Sequence, residues 1–278
     1  MLSDGTFDRT VSLAKALPSK PGGLNTGRLA VLADYAGKSR IIAIADYFSQ
    51  AVLKVVHDHL FSVLKLTVGD STFDQNHSIE VIQQWHKEGR KTWSYDLSSA
   101  TDRFPLHLIR VTMQNVMFSN EQGFNPNRFT YYFCKVLSER TFKVPRVKTT
   151  VRWKVGQPLG LYSSWAAFTL AHHAVVRLCE LRAGRSPGRN YVILGDDIVI
   201  ADEATAFQYR SLMESIGVKI SLPKSLTPTA VTPYQAEFCK RIIVKGEEYS
   251  SLPLRLLKAR HLGYALTTFF NSVTLKSS

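Results

Sequence analysis

The sequence is poor in cysteine, contains no membrane-length apolar run, and shows neither an internal repeat nor a low-complexity tract along its 278 residues. Its three cysteines, Cys134, Cys179 and Cys239, are odd in number, widely spaced and never in a Cys-x-x-Cys pair. That argues against a disulfide framework and a zinc site and leaves reduced core thiols as the expectation. A bilayer-crossing helix needs about 18 consecutive apolar residues. The best candidate, Ser163 to Val176, is shorter and is interrupted by His172 and His173. Asp4 and Asp8 precede Lys15 and Lys20 without a compact apolar segment, so no secretory signal is expected. A P-loop ATPase is also disfavoured, because Gly37-Lys38-Ser39 lacks the upstream glycine of a Walker loop and Ala33 to Ala36 supplies none.

Acidic residues are the minority charge. Thirty-five Lys and Arg face 22 Asp and Glu, a net charge of +13, which favours a polyanionic partner such as nucleic acid or an anionic membrane surface over an uncharged one. With 45% hydrophobic residues, the chain can bury one large core or two smaller ones. The loop-forming stretch Pro18 to Gly27 separates a short N-terminal piece from the organised chain.

From Tyr47 to Leu66, apolar residues recur at helical intervals (Phe48, Val52, Val55, Val56, Leu60, Val63, Leu64). His57 and His59 within it lie on different helix faces and read as ordinary helix-surface histidines. Thr92 to Leu97 reads as a short strand that turns through Ser98 to Arg103 into a helix marked by Leu106, Ile109, Met113, Val116 and Met117. Basic strands are expected around Thr141 to Val155. A second long helix (Leu161, Trp165, Phe168, Val175, Leu178) is entered through the turn Gly156 to Gly160. Tyr191 to Leu194 and Ile198 to Ala201, separated by Gly195-Asp196-Asp197, have the pattern of a tight hairpin with an acidic tip. Glu203 to Ile216 reads as a helix ending at Gly217, and Val218 to Ser221 as a further strand. This order is that of a split β-α-β unit, an α+β fold whose antiparallel sheet carries helices on one face. Such a sheet sets the strand end at Asp96 beside the tip at Asp196 and Asp197.

Carboxylates gathered this way repel one another unless metal ions neutralise them. Magnesium suits a site of hard oxygen ligands that substrate phosphates complete, and two ions stabilise both the attacking and the leaving oxygen of a phosphoryl transfer; manganese is the alternative. A Gly-Asp-Asp tripeptide alone is more often an ordinary turn, and it is the company of the other residues that points to chemistry. Asp102, separated from Asp96 by five residues, either accepts a bond from a ribose hydroxyl or caps the following helix. Ser163 and Ser164 either meet the sugar or face solvent. Lys38 and Arg40 fit a triphosphate clamp or a solvated charge run. Lys224 either protonates departing pyrophosphate or is a surface lysine.

Together these residues resemble the RNA-dependent RNA polymerases of mitoviruses and their narnavirus relatives, from about Thr26 to Leu257. Ala36 to Tyr47 (AGKSRIIAIADY) looks like polymerase motif F, and Gly69 to Gln75 (GDSTFDQ) is similar to a loop typical of mitoviruses. Tyr95 to Pro105 (YDLSSATDRFP) resembles motif A, Gly156 to Trp165 (GQPLGLYSSW) motif B, and Leu194 to Asp197 (LGDD) motif C. Ser221 to Ser225 resembles motif D, and Ala236 to Arg241 (AEFCKR) the primer-grip motif E. The resemblance implies a right-hand polymerase copying RNA from RNA inside host mitochondria, with an RNA template, a product strand and nucleoside triphosphates as its partners. Asp96, Asp196 and Asp197 would surround the metals, Lys38 and Arg40 would hold the triphosphate, and Lys224 would act as acid.

The expected division is a loop-rich segment over 1–27, partial fingers over 28–91, a palm over 92–241 with a finger-like insertion near 119–155, and a truncated thumb over 242–278. Phe168 stands where many viral polymerases place a sugar-reading asparagine, so Ser163 or Ser164 would assist Asp102. Family chains are longer on the N-terminal side and carry a fuller thumb, which keeps a catalytically incompetent RNA-binding remnant as the alternative. A reverse transcriptase is the less favoured one, because Gly195 replaces the usual aromatic-x before the paired aspartates.

Overall fold

The computed structural model describes residues 27–33, 39–117 and 125–249. In chain order these form β1 (Gly27–Ala33), β2 (Ser39–Ile44), α1 (Tyr47–Lys65), α2 (Gln75–Lys87), β3 (Trp93–Tyr95), α3 (Ala100–Arg103), α4 (Leu106–Val116), α5 (Pro126–Ser138), β4 (Phe142–Lys143), β5 (Thr150–Val151), α6 (Ser164–Arg182), β6 (Tyr191–Leu194), β7 (Asp197–Ile200), α7 (Glu203–Ser215), β8 (Gln235–Phe238), β9 (Arg241–Val244) and β10 (Glu247–Glu248). Lys38, the N-terminal segment and everything after Tyr249 lie outside the described residues.

The centre is a three-stranded antiparallel sheet in the order β3-β7-β6. Along β6 and β7, Tyr191, Ile193, Ile198 and Ile200 join the large core beneath α4, α6 and α7. Val192 and Val199 point the other way, into a second cluster with Ile79, Ile82 and Trp85 of α2 and Ala236, Phe238 and Ile243 of the small sheet β8-β9-β10. Both faces are therefore covered, which is why these strands read as unbroken apolar runs rather than as alternation. α6 is buried on nearly every side, as a helix apolar all round must be. α1 instead buries one stripe, Leu53, Val56, Leu60 and Leu64, and begins where the Asp46 carboxylate accepts the Ser49 N–H at 2.9 Å.

Both sheet edges are extended by irregular chain. Ser71 N–H donates to the Ile193 carbonyl and Ile193 N–H to that of Gly69, each at 2.8 Å, so the loop at 69–71 adds to β6. Along the edge of β3 and its continuation, the residues expected to form a strand at Val218 to Ser221 make one isolated bridge, Ile220 with Leu97, and Leu226 further on makes another with Ser94. A single 3-10 turn, Leu222–Lys224, lifts the chain away between them; Pro223 has no N–H for a ladder. Burial of a charge fixes the approach to β6: the Glu180 carboxylate, fully buried, accepts the backbone N–H groups of Gly188, Arg189 and Asn190. A second sheet, β2-β1-β4-β5, stands beside the centre. Its β2 is tied in by the Ala43 N–H donating to the Leu159 carbonyl at 2.7 Å.

Candidate active site

Leu194 pairs with Asp197, which leaves Gly195 and Asp196 as a two-residue turn. Gly195 has φ +63°, and a Cβ there would stand 2.7 Å from Trp165 Nε1, so conformation and space both demand glycine. The turn is held from behind. His172 Nδ1 lies 2.8 Å from the Gly195 carbonyl oxygen and Nε2 lies 2.7 Å from the Tyr209 hydroxyl. A carbonyl only accepts, so Nδ1 carries the proton, Nε2 is bare, and Tyr209 donates to it. Burial pushes the imidazole down to about 4, which keeps this relay neutral.

Across the cleft, Asp96 follows Tyr95, whose partner on β7 is Ile198. The Asp96 N–H donates to Ser225 Oγ at 3.1 Å and its carbonyl accepts the Ser221 N–H at 2.8 Å. Ser221 and Ser225 flank the 3-10 turn, and thereby set Lys224 Nζ 3.9 Å from Asp96 Oδ2. Charge crowding is visible in the carboxyls. Asp196 is raised by burial and by the Asp96 charge, with Arg40 of β2 pulling it back. Asp197 is pushed up to about 6 by burial, then by Asp196, Asp96 and Glu237, against a bond from the Cys239 backbone N–H. The structure thus brings Asp96, Asp196, Asp197, Arg40 and Lys224 within reach of one another's charge.

Other candidates are placed less directly. Asp102 caps nothing: α4 begins at Pro105 without a side-chain cap, and the exposed Asp102 instead accepts the Trp153 indole N–H on Oδ1 at 2.6 Å. Ser163 and Ser164 do not face solvent; both are 1% exposed. Ser163, with φ +63°, turns its hydroxyl onto the Tyr162 carbonyl and gives its N–H to His57 Nδ1 at 3.3 Å. Ser164 Oγ and Gln157 Oε1 are buried without a hydrogen-bond partner. Phe168 is a core ring, edge-on to Phe104 at 5.2 Å.

A resident metal is judged by the donors present. No group of three or more His, Cys, Asp or Glu side chains among the described residues is arranged to hold an ion by itself. The acidic oxygens of Asp96 and Asp196, the latter raised by burial and by the Asp96 charge, fit a hard cation whose shell is completed by substrate.

The profile of the mitovirus RNA-dependent RNA polymerases matches residues 6–276. The chain belongs to that family. It is 37% identical over 218 residues to the RNA-directed RNA polymerase of Cryphonectria parasitica mitovirus 1, covering 78% of this chain and 25% of that protein. The chain therefore spans about a quarter of the viral polymerase it matches. It is also 38% identical over 188 residues to a mitochondrial protein of Arabidopsis thaliana, covering 66% of this chain and 71% of that one. Among solved structures, the insertion-loop deletion mutant of a human picobirnavirus RNA-dependent RNA polymerase superposes with TM-score 0.64 at 12% identity, over 79% of this chain and 44% of the other. Apo telomerase from Candida tropicalis, truncated from its C-terminal domain, gives 0.61 at 12% identity, over 88% and 59%. The mitovirus family member is thus an α+β polymerase palm in fold.

Sequence reasoning passed over several residues that shape the site. His172 stood out only as a break in an apolar run, and that break was the available signal: a histidine on a wholly buried face needs partners for both nitrogens. Nothing local ties Trp153 to Asp102 or Glu237 to Asp197, because the partners lie about 50 and 40 residues away in sequence.

Proposed function

We propose that this chain carries the nucleotidyl-transfer centre of an RNA-templated RNA polymerase that works in viral replication within the host mitochondrion. The observation behind this is the meeting of Asp96 and Asp196 at the end of β3 and the tip of β6–β7, with Lys224 beside them. Asp96 and Asp196, with Asp197 behind, would hold two magnesium ions, which when bound supply charge neutralisation and a more acidic primer 3′-hydroxyl. The 3′-hydroxyl gives up its proton to solvent and its oxygen attacks the α-phosphorus; the new P–O bond forms as the bond to the bridging oxygen breaks, and pyrophosphate leaves.

Each protein group has a task in that step. Arg40, with Lys38 nearby in sequence, orients the triphosphate; Lys224 gives a proton to the departing pyrophosphate. Asp102, its Oδ1 fixed by Trp153, keeps Oδ2 for the ribose hydroxyl; Ser163 and Ser164, both buried, serve the turn rather than the sugar. Mitochondrial location is supported by the family and by the likeness to an Arabidopsis mitochondrial protein.

The test is extension of an RNA primer on an RNA template by the purified chain. Template-dependent addition that requires magnesium and is lost in Asp96→Asn and Asp196→Asn supports the reading. Extension unaffected by either substitution, or no extension at any magnesium or manganese concentration, sinks it.

A further inference from the structure

Beside the acidic turn runs a row of aromatic rings that the nucleotidyl-transfer step does not use. Tyr162, after the motif B turn, is edge-on to His57 at 5.1 Å; His57 lies 4.2 Å from Phe61. Phe61 touches Trp165 at 5.8 Å and Phe73 at 6.1 Å. Trp165 is the residue packed under Gly195, so the row is continuous with the catalytic turn. Three separate segments supply it: α1, the loop at 69–74 and the start of α6. Its ends are open to solvent, Tyr162 at 42% and Phe73 at 55% exposed.

Core packing does not explain large rings left exposed at both ends of a row. Local charge is nearly balanced: Lys54, 5.9 Å over the Tyr162 ring, is already paired with Asp58, and Asp74 caps α2 next to Phe73. His57 is held below its usual range chiefly by burial, so it adds no charge at neutral pH. A phosphate backbone alone therefore finds little to grip there, whereas the flat face of an unpaired base finds aromatic partners without regard to its identity. Duplex RNA hides those faces; a single strand offers them.

We propose that the Tyr162–His57–Phe61–Phe73 row is a stacking platform for unpaired RNA bases, receiving the single-stranded template next to the acidic turn. It rests on the polymerase reading for the identity of the strand as template. Binding to RNA itself is measured without catalysis.

Fluorescence anisotropy with a labelled single-stranded oligonucleotide, its base-paired duplex and an abasic oligomer of equal length tests it on the whole chain. Tyr162→Ala with Phe73→Ala weakens single-strand binding about tenfold or more. Binding of duplex and of abasic oligomer stays unchanged, as does the salt dependence, because no phosphate contact is removed. Tyr162→Phe with Phe73→Tyr keeps both rings and binds like the original chain, which separates stacking from any general disturbance. Equal loss for all three probes, an unchanged single-strand affinity in the alanine pair, equal loss in the ring-preserving pair, or an original chain that ignores single strands would each overturn the proposal. A chain that passes this test yet never extends a primer would fail the polymerase reading alone.

Discussion

Two hairpins meet at Asp197 and solve the same problem differently. The β6–β7 hairpin turns on Gly195-Asp196, with one left-handed residue, and that residue is glycine. The β8–β9 hairpin turns on Cys239-Lys240, both with positive φ (54° and 62°) and neither a glycine. Left-handed backbone costs a side-chain-bearing residue roughly 1–2 kcal/mol. At the first turn a neighbour forbids a side chain; at the second, the strained backbone points the Cys239 N–H at the Asp197 carboxylate. Strain is accepted where it aims a group and avoided where packing leaves no room.

The largest expected effect comes from erasing this difference. Gly195→Ala puts a Cβ against Trp165 and into φ +63°; it should lower stability by roughly 2–5 kcal/mol, read as a drop in melting temperature. A melting temperature unchanged by that substitution would show the turn to be free to move. Next is the support behind the turn. His172→Phe leaves the Gly195 carbonyl and Tyr209 hydroxyl unpaired in the core, and a cost of about 2–4 kcal/mol is expected in urea unfolding.

A smaller effect depends on pH. The Asp197 carboxyl stands at about 6 in the fold against 3.8 in the open chain, so between those values the folded state binds more protons than the unfolded one, and stability of the metal-free chain falls as pH rises from about 4 to 6. The loss is at most roughly 3 kcal/mol and less after solvent screening. Asp197→Asn should reduce that slope, leaving the share of the raised Asp196, and raise the melting temperature at pH 7 without gain at pH 4; a slope undiminished in the variant would assign it elsewhere. The smallest effect is a gain. Lys240→Gly should relieve the second turn by about 1 kcal/mol, and a loss of stability instead would mean that the Lys240 side chain earns its place through contacts.

Much of this was legible in the residues. Helical spacing gives α1, α4 and α6; two apolar runs with only Gly195-Asp196-Asp197 between them give the central hairpin; and the order of carboxylates along the chain resembles one family. The fold class follows from that order. The expected strand at Val218 to Ser221 becomes one bridge ahead of a 3-10 turn, since a proline interrupts the edge and Lys224 rides on the excursion.

What sequence could not decide depends on contacts between distant segments. Ser163 and Ser164 read as meeting a sugar or facing solvent, and their burial follows only once β2 and α1 are packed over the turn before them: a Cβ at Gly160 would lie 2.5 Å from the Ala43 carbonyl oxygen, and Gln50 bonds both the Gly160 carbonyl and the Tyr162 N–H. Asp102 chooses Trp153 over the helix end because the indole is carried there by a hairpin that no local pattern relates to it. The raised carboxyl of Asp197 likewise depends on Glu237, forty residues downstream. Local propensity and periodicity are properties of neighbours along the chain, so they fix elements; charge repulsion, burial and hydrogen-bond partners are properties of neighbours in space, and only the tertiary structure decides them.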